Sequence, residues 1–302
     1  MRVRIWGTRG SYPVAHAHML RYGGNTTCVE VEVDGHYIIL DAGTGLRMLS
    51  EALRRLPVQP RQYDLLITHT HWDHIIGFPF FAPLFDPNVS LDIYGLARTQ
   101  SSLRTTLAGA LSDPLFPLQF DDLRAQLNFF EIGAGSEFEL GPVKVRTALA
   151  NHPYRALAYR LETSRGVLTF IPDTGPFHTV LFGEQRIEWA GQPTARSQSE
   201  LRELAAMKEA ILELAYGADW LIYDAQFTDA QYARFPHWGH SSASQAREIA
   251  EAAQVRQLIL FHHDPHRTDT ELDQIVAKQQ SLAAPGLLVT AAFEGMELER
   301  RP

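Results

Sequence analysis

Polar and apolar residues alternate over residues 2–6 (RVRIW) and 27–33 (TCVEVEV), and Asp34-Gly35 separates the second run from HYIILDAG at 36–43. A period of two broken by an Asp-Gly pair predicts consecutive antiparallel strands, the last two joined by a two-residue hairpin. The period then changes. Leu46, Leu49, Leu53 and Leu56 recur at helical spacing, with Thr44 as candidate N-cap and Pro57 just past the end, so a helix is predicted over 44–56. A short apolar run, LLIT at 65–68, leads into a His/Asp-rich turn and then an apolar helix or helical turn. Further strand-like runs follow at SLDIYG, NFFEI, VKVRTALA, LAYRLET and GVLTFIPD, with a more helical stretch near 97–111. A long helix near 198–216 then hands over to ADWLIYDAQF, a strand ending in an acid. The theme recurs as a helix over 242–254, the strand VRQLILF, His262-His263, a final helix near 268–282 and terminal strands. Residues 176–197 lack periodicity, and 176–215 is read as an insertion or lid.

Strands followed by helices in each half predict an α/β chain, two sheets packed together with helices outside. The expected architecture is a four-layer αββα sandwich forming a single domain over 1–302. No Pro/Gly/Ser-rich linker divides it. With 45% apolar and 21% charged residues, disordered, collagenous and coiled-coil classes are excluded. A net charge of −8 argues against a broadly basic surface, so long nucleic acid is not the expected partner. The first residues hold no apolar signal-like core, and no uncharged run reaches the roughly 18 residues a membrane span needs. A cytoplasmic protein with no membrane partner is expected. The single cysteine, Cys28, excludes an intrachain disulfide and a thiolate zinc ribbon and fits a reducing compartment. Any metal must therefore use histidine and carboxylate, and the 13 histidines are clustered.

The densest cluster is HTHWDH at 69–74, which places His69, His71, Asp73 and His74 directly after a predicted strand. Imidazole and carboxylate suit zinc or a similar borderline ion, and a strand-end loop can aim alternate side chains into one cavity. Ligands this dense suit two metals about 3.5–4 Å apart better than one. Further candidates also follow strand-like runs: His152, Asp173, and His262 or His263. Asp73 has a second reading, as a helix N-cap.

With these residues the chain resembles the metallo-β-lactamase superfamily over nearly its whole length. The resemblance implies His69, His71 and His152 as ligands of one metal, Asp73, His74 and the C-terminal histidine as ligands of the other, and Asp173 bridging. His262 aligns better than His263 with the family's strand-then-His pattern. Two divalent ions are implied, zinc by default, with manganese or iron able to use the same ligands. Asp41, in ILDAGTG, matches a strand-end acid that orients a ligand imidazole.

Second motifs bear on the reaction. Diiron redox members carry Glu where this chain has His71, which argues for hydrolysis. LIYDAQF with Asp224 and GHSSASQAREIA with His240 are similar to the phosphodiesterase branch, which includes ribonuclease Z and the phosphoribosyl cyclic phosphodiesterases. The resemblance implies an Asp224–His240 pair in which His240 gives the departing alkoxide its proton or binds a phosphoryl oxygen. Catalytic roles thus fall to Asp73, His240 and Asp224. Ser241 and Ser242 are also candidate N-caps. GTRGSYP and RYGGNTTCVEV match the same branch; Asn25 either touches substrate or holds a turn, and Arg9 is a phosphate contact or a solvated charge. His237 and Trp238 are placed to line the pocket, whereas Trp72, Phe78, Phe80 and Phe81 are read as core around the motif, and Cys28 as buried. A basic, glycine/proline-rich arm for long tRNA is not found. The expected activity is therefore hydrolysis of a small phosphodiester, a cyclic nucleotide or ribose cyclic phosphate, by attack of a metal-bound hydroxide. A thioesterase or lactonase on the same fold and a ribonuclease Z-like RNA endonuclease are the alternatives. A homodimer is the assembly the branch implies.

Overall fold

The computed structural model describes residues 1–98, 101–113, 116–179, 181 and 197–299. Strands β1 (Arg2–Gly7), β2 (Cys28–Val33) and β3 (His36–Leu40) form the expected antiparallel meander. Val33 pairs with His36, and Asp34 (φ 52) and Gly35 (φ 85) both take the left-handed conformation that a tight two-residue hairpin requires. Helix α1 (Gly45–Leu53) follows, then β4 (Gln62–Leu66), the single turn α2 (Trp72–Ile75), β5 (Ser90–Leu96), α3 (Leu103–Ala110) and β6 (Gln126–Ile132). Parallel pairing runs from β3 through β4 and β5 to β6. Leu46, Leu49 and Leu53 of α1 are buried in one core with Ile39, Tyr63, Leu65, Phe78, Phe81, Leu91 and Ile93. Each buried leucine contributes about 1.5–3 kcal/mol over exposure, which is why the helical spacing was legible.

The second sheet comprises β7 (Glu137–Leu140), β8 (Val143–Ala150), β9 (Ala156–Thr163), β10 (Gly166–Ile171), β11 (Trp220–Asp224), β12 (Gln257–Phe261) and β13 (Leu288–Ala291), in the order β13-β12-β11-β10-β9-β8-β7. Its helices are α4 (Gln198–Ala215), α5 (Asp229–Tyr232), α6 (Ala243–Ala252) and α7 (Asp269–Leu282). Capping boxes start α4 (Ser197 with Glu200), α6 (Ser242 with Gln245) and α7 (Thr268 with Glu271). Each cap is worth about 1 kcal/mol. Strand β14 (Glu297–Glu299) returns to pair with β1, so the first sheet reads β14-β1-β2-β3-β4-β5-β6. The chain divides into two compact units, Met1–Gly133 with Glu139–Val143 and Phe293–Pro302, and Ala134–Phe138 with Lys144–Ala292.

Several expectations are corrected. Strand β7 was not foreseen, because EFEL is short and half acidic. The helix near 97–111 covers only Leu103–Ala110. Thr44 occupies the N-cap position of α1, but its hydroxyl accepts from the Thr26 amide while the Thr26 hydroxyl accepts from the Thr44 amide, a reciprocal bond between loop and helix start. Phe78 and Phe81 are buried as expected, whereas Trp72 (56%) and Phe80 (51%) are exposed. Arg9 is neither a phosphate contact nor a solvated charge. It is fully buried, and its guanidinium donates to the carbonyls of Gly23 and Met19, tying the 10–24 loop together. Asn25 donates from its backbone amide and its side-chain amide to the Glu294 carboxylate, a tie between segments 269 residues apart. Within 176–215, helix α4 was expected near 198–216, while residues 180 and 182–196 lie outside the described residues.

Candidate functional site

The chemistry-bearing residues fall into two clusters, one on each unit. On the first, parallel β3 and β4 end together, Leu40 beside Leu66, so the chain leaves both strands at the same end. Asp41 (φ 60) follows β3, and Ile67-Thr68 carries the chain from β4 to His69. Asp41 is completely buried and accepts from the Thr68 amide at 2.7 Å, from the Thr68 hydroxyl and from His74 Nδ1 at 2.8 Å. Burial pushes its carboxyl above the usual aspartate range, opposed by His74. Because the Thr68 hydroxyl donates to Asp41, it can accept from His69 Nδ1, 3.1 Å away. His69 Nε2 then lies 2.9 Å from His71 Nδ1, and His74 Nε2 lies 3.4 Å from Asp73 Oδ2. Asp73 sits inside α2 with His71 at the N-cap position, so the N-cap reading of Asp73 does not hold. Its Oδ2 instead accepts from the Ser11 amide at 2.7 Å.

On the second unit, β10, β11 and β12 are mutually parallel, and β8 runs the same way because β9 is antiparallel to both β8 and β10. His152, Asp173, Asp224 and His262 therefore all leave the carboxyl ends of strands pointing in one direction, where open α/β sheets place their ligands. Asp173 Oδ2 lies 3.7 Å from His152 Nε2 and its Oδ1 lies 3.2 Å from His262 Nε2, so one oxygen faces each imidazole. His240 Nδ1 is 2.7 Å from Asp224 Oδ2. Asp224 is held in turn by the Thr174 amide on Oδ2 and the Gln226 amide on Oδ1, both at 3.0 Å. The His240 and His262 rings stack with centroids 4.7 Å apart.

Five of these histidines share one arrangement. Nδ1 faces a fixed acceptor: Thr68 Oγ1 for His69, Asp41 for His74, the Gly239 carbonyl for His152, Asp224 for His240 and Gln226 Oε1 for His262. A donor bond from Nδ1 fixes the tautomer and leaves the Nε2 lone pair available, the usual outer support of a metal-ligating imidazole. A donor set of imidazole nitrogens and carboxylate oxygens with no thiolate, buried except at half-buried His71, fits zinc, manganese or iron. His152, Asp173 and His240 offer donor atoms within 4.8 Å of one another, so His240 is itself a candidate ligand. His262 and His263 separate cleanly: His262 (φ 56) faces Asp173, while His263 Nε2 donates to the Ala292 carbonyl.

Sequence reasoning missed Gln226 and the Gly239 carbonyl. Gly239 has φ 87, and a Cβ there would lie 2.5 Å from His152 Nδ1, so glycine lets the backbone approach the imidazole it supports. Gln226 stands two residues past Asp224 in DAQF, but only the fold brings it to His262, 36 residues on. Ser241 donates to the Thr174 carbonyl and is not a cap, whereas Ser242 is.

Residues 36–192 and 203–263 match the family model described as beta-lactamase superfamily domain. A ribonuclease Z from Exiguobacterium sibiricum is 28% identical over 71% of this chain and 76% of its own length. One from Thermoplasma acidophilum is 25% identical over 90% and 89%. Among solved structures, the metallo-beta-lactamase fold protein YhfI from Bacillus subtilis aligns at a TM-score of 0.67 with 17% identity, covering 99% of this chain and 98% of that one. The short form of human tRNase Z aligns at 0.64, also 17% identical, over 100% of both chains. These matches bear out the expected fold class. With strand-end histidines and aspartates gathered as described, the chain belongs to the beta-lactamase superfamily, in its ribonuclease Z-like phosphodiesterase branch.

Proposed function

We propose that this chain hydrolyses a small phosphodiester, a cyclic nucleotide or ribose cyclic phosphate, at a dinuclear metal centre. Membership of the branch makes it a metal-dependent hydrolase of phosphodiester bonds; the substrate and the role of each residue are the proposal. His69, His71 and His152 would hold one ion, Asp73, His74 and His262 the other, and Asp173 both. Zinc is the proposed metal, with manganese or iron as alternatives. The ions, when bound, supply Lewis acidity toward the phosphoryl oxygens and a nucleophilic water at neutral pH. Asp73, its Oδ2 anchored by the Ser11 amide, orients that water. Asp41, Gln226 and the Gly239 carbonyl keep the ligand imidazoles in one tautomer.

The observation that carries the reading is the His240–Asp224 pair. Attack on phosphorus leaves an alkoxide needing a proton, and the His240 imidazolium, its Nδ1–H held 2.7 Å from a buried carboxylate, would deliver the proton on Nε2 and be left neutral with its Nε2 lone pair free. Asp224 acts by positioning. Long RNA is a second reading, favoured by the ribonuclease Z relatives, and the net charge of −8 weighs against it. A homodimer is the proposed assembly.

The test is turnover of bis(p-nitrophenyl) phosphate beside a thioester, a lactone and a structured RNA, with protein of measured metal content and Asp73→Ala as control. Metal-dependent diester cleavage abolished by Asp73→Ala is the expected result. Fully loaded protein that opens the thioester or lactone and leaves the diester intact would overturn the proposal.

A further inference from the structure

Beside His240 stands an aromatic group that the hydrolytic step does not use. Phe227 is buried, with its ring centroid 5.9 Å from that of His240 in an edge-on contact. Trp238 meets Phe227 at 6.5 Å, also edge-on, and Phe235 packs on both, 5.2 Å from Trp238 and 6.0 Å from Phe227. The group is thus anchored by a buried ring next to the imidazole, and its outer member, Trp238, is 40% exposed. Trp238 also precedes Gly239, whose carbonyl supports His152, so its main chain is fixed close to the ligand histidines.

A large aromatic ring left exposed forgoes the burial that its packed neighbours obtain. Its position gives it a use. In the proposed reaction the departing oxygen lies at His240, so whatever group that oxygen carries projects from His240 toward the neighbouring surface. Every nucleobase has a π-face that stacks on an indole, and such contacts tolerate differences among bases. We propose that Trp238, backed by Phe235 and Phe227, is the platform for a planar base on the substrate, so that the enzyme takes nucleoside cyclic phosphates in preference to base-free ribose cyclic phosphates. This rests on the phosphodiesterase reading and narrows it.

The experiment compares wild type, Trp238→Leu and Trp238→Phe, at equal metal content, on adenosine 2′,3′-cyclic phosphate and on methyl ribofuranoside 2,3-cyclic phosphate. In parallel, quenching of tryptophan fluorescence by adenosine monophosphate is measured and the Trp238→Phe signal subtracted. Expected are a KM for the nucleoside substrate raised about 5- to 100-fold in Trp238→Leu, the range that base–aromatic stacking gives on truncation, little change in kcat, and substantial rescue by Trp238→Phe. The base-free substrate should show no such dependence, and quenching specific to Trp238 should saturate with nucleotide. Turnover of both substrates equally well by wild type and Trp238→Leu, or absence of Trp238 quenching, overturns the platform and leaves the hydrolase reading intact. Trp238 quenching without diester turnover has the opposite meaning: the platform stands and the phosphodiesterase reading falls.

Discussion

Replacing His240 by alanine, and separately Asp224 by asparagine, tests how the departing oxygen acquires its proton. Asp224 is fully buried, and its carboxylate accepts three hydrogen bonds, from His240 Nδ1 and the Thr174 amide on Oδ2 and from the Gln226 amide on Oδ1. Asparagine has one acceptor oxygen. With that oxygen at the Oδ2 position, the new NH2 opposes the Gln226 amide, donor against donor, at a cost of about 1–3 kcal/mol. The flipped amide opposes both His240 and Thr174 and is worse. Stability should therefore fall modestly, while the negative charge facing Nδ1 disappears. General acid catalysis contributes about 10²- to 10⁴-fold, and only for leaving groups that need a proton. For a diester with an alkyl leaving group, kcat should drop by about that factor in His240→Ala and by a lesser part of it in Asp224→Asn. For bis(p-nitrophenyl) phosphate, whose nitrophenolate departs unprotonated, the loss should be under about tenfold. The assay is steady-state turnover of both diesters on protein whose metal content is measured alongside. Equal losses on the two substrates with metal retained would refute proton donation and assign His240 to phosphoryl-oxygen binding. Loss of one equivalent of metal in His240→Ala would make it a ligand with His152 and Asp173.

Other perturbations address the supports. Asp64 on β4 lies directly across from Asp92 on β5, and burial together with that like charge raises its pKa from 3.8 to about 6. The folded state thus holds this proton more tightly than the unfolded state, so the contribution to stability is present below about pH 4 and is lost as pH rises through about 6. Asp64→Asn should raise thermal stability at pH 8 by about 1–3 kcal/mol, with the gain shrinking toward zero by pH 4; a gain independent of pH in calorimetry would contradict this. Gly239→Ala forces a Cβ onto His152 Nδ1 and an L residue into φ 87, so it should lower metal content and activity together, measured by metal analysis of the purified variant. His262→Ala should lose metal while His263→Ala keeps it, since His263 is spent on the Ala292 carbonyl; the reverse pattern in the same analysis would exchange their roles.

How far the site was legible depended on how local each relationship is. The six residues from His69 to His74 carry their donors within two turns of chain, so spacing alone marks them. Asp41 and Asp224 stand at strand ends, where the apolar runs YIIL and WLIY stop at an acid. Arg9 resisted, because nothing in GTRGSYP says that two carbonyls 10 and 14 residues on will enclose the guanidinium. Trp72 and Phe80 resisted for the opposite reason: an apolar run such as WDHIIGFPFF has more large side chains than one short helical turn can bury.

The sequence alone carries the alternation of strands and helices, the hairpin at Asp34-Gly35, the approximate helix spans, and a donor set restricted to imidazole and carboxylate. These are short-range properties, set by side-chain chemistry and the backbone period. The tertiary structure is needed to see which histidine of His262-His263 faces Asp173, that Gln226 and the Gly239 carbonyl meet Nδ1 of His262 and His152, and that Phe227 joins Trp238 to His240. The placing of His262 against Asp173 and Gln226 follows from parallel strands far apart in sequence, where a shift of one residue turns each side chain to the opposite face, and the Gly239 and Phe227 contacts from the path of the segment after β11.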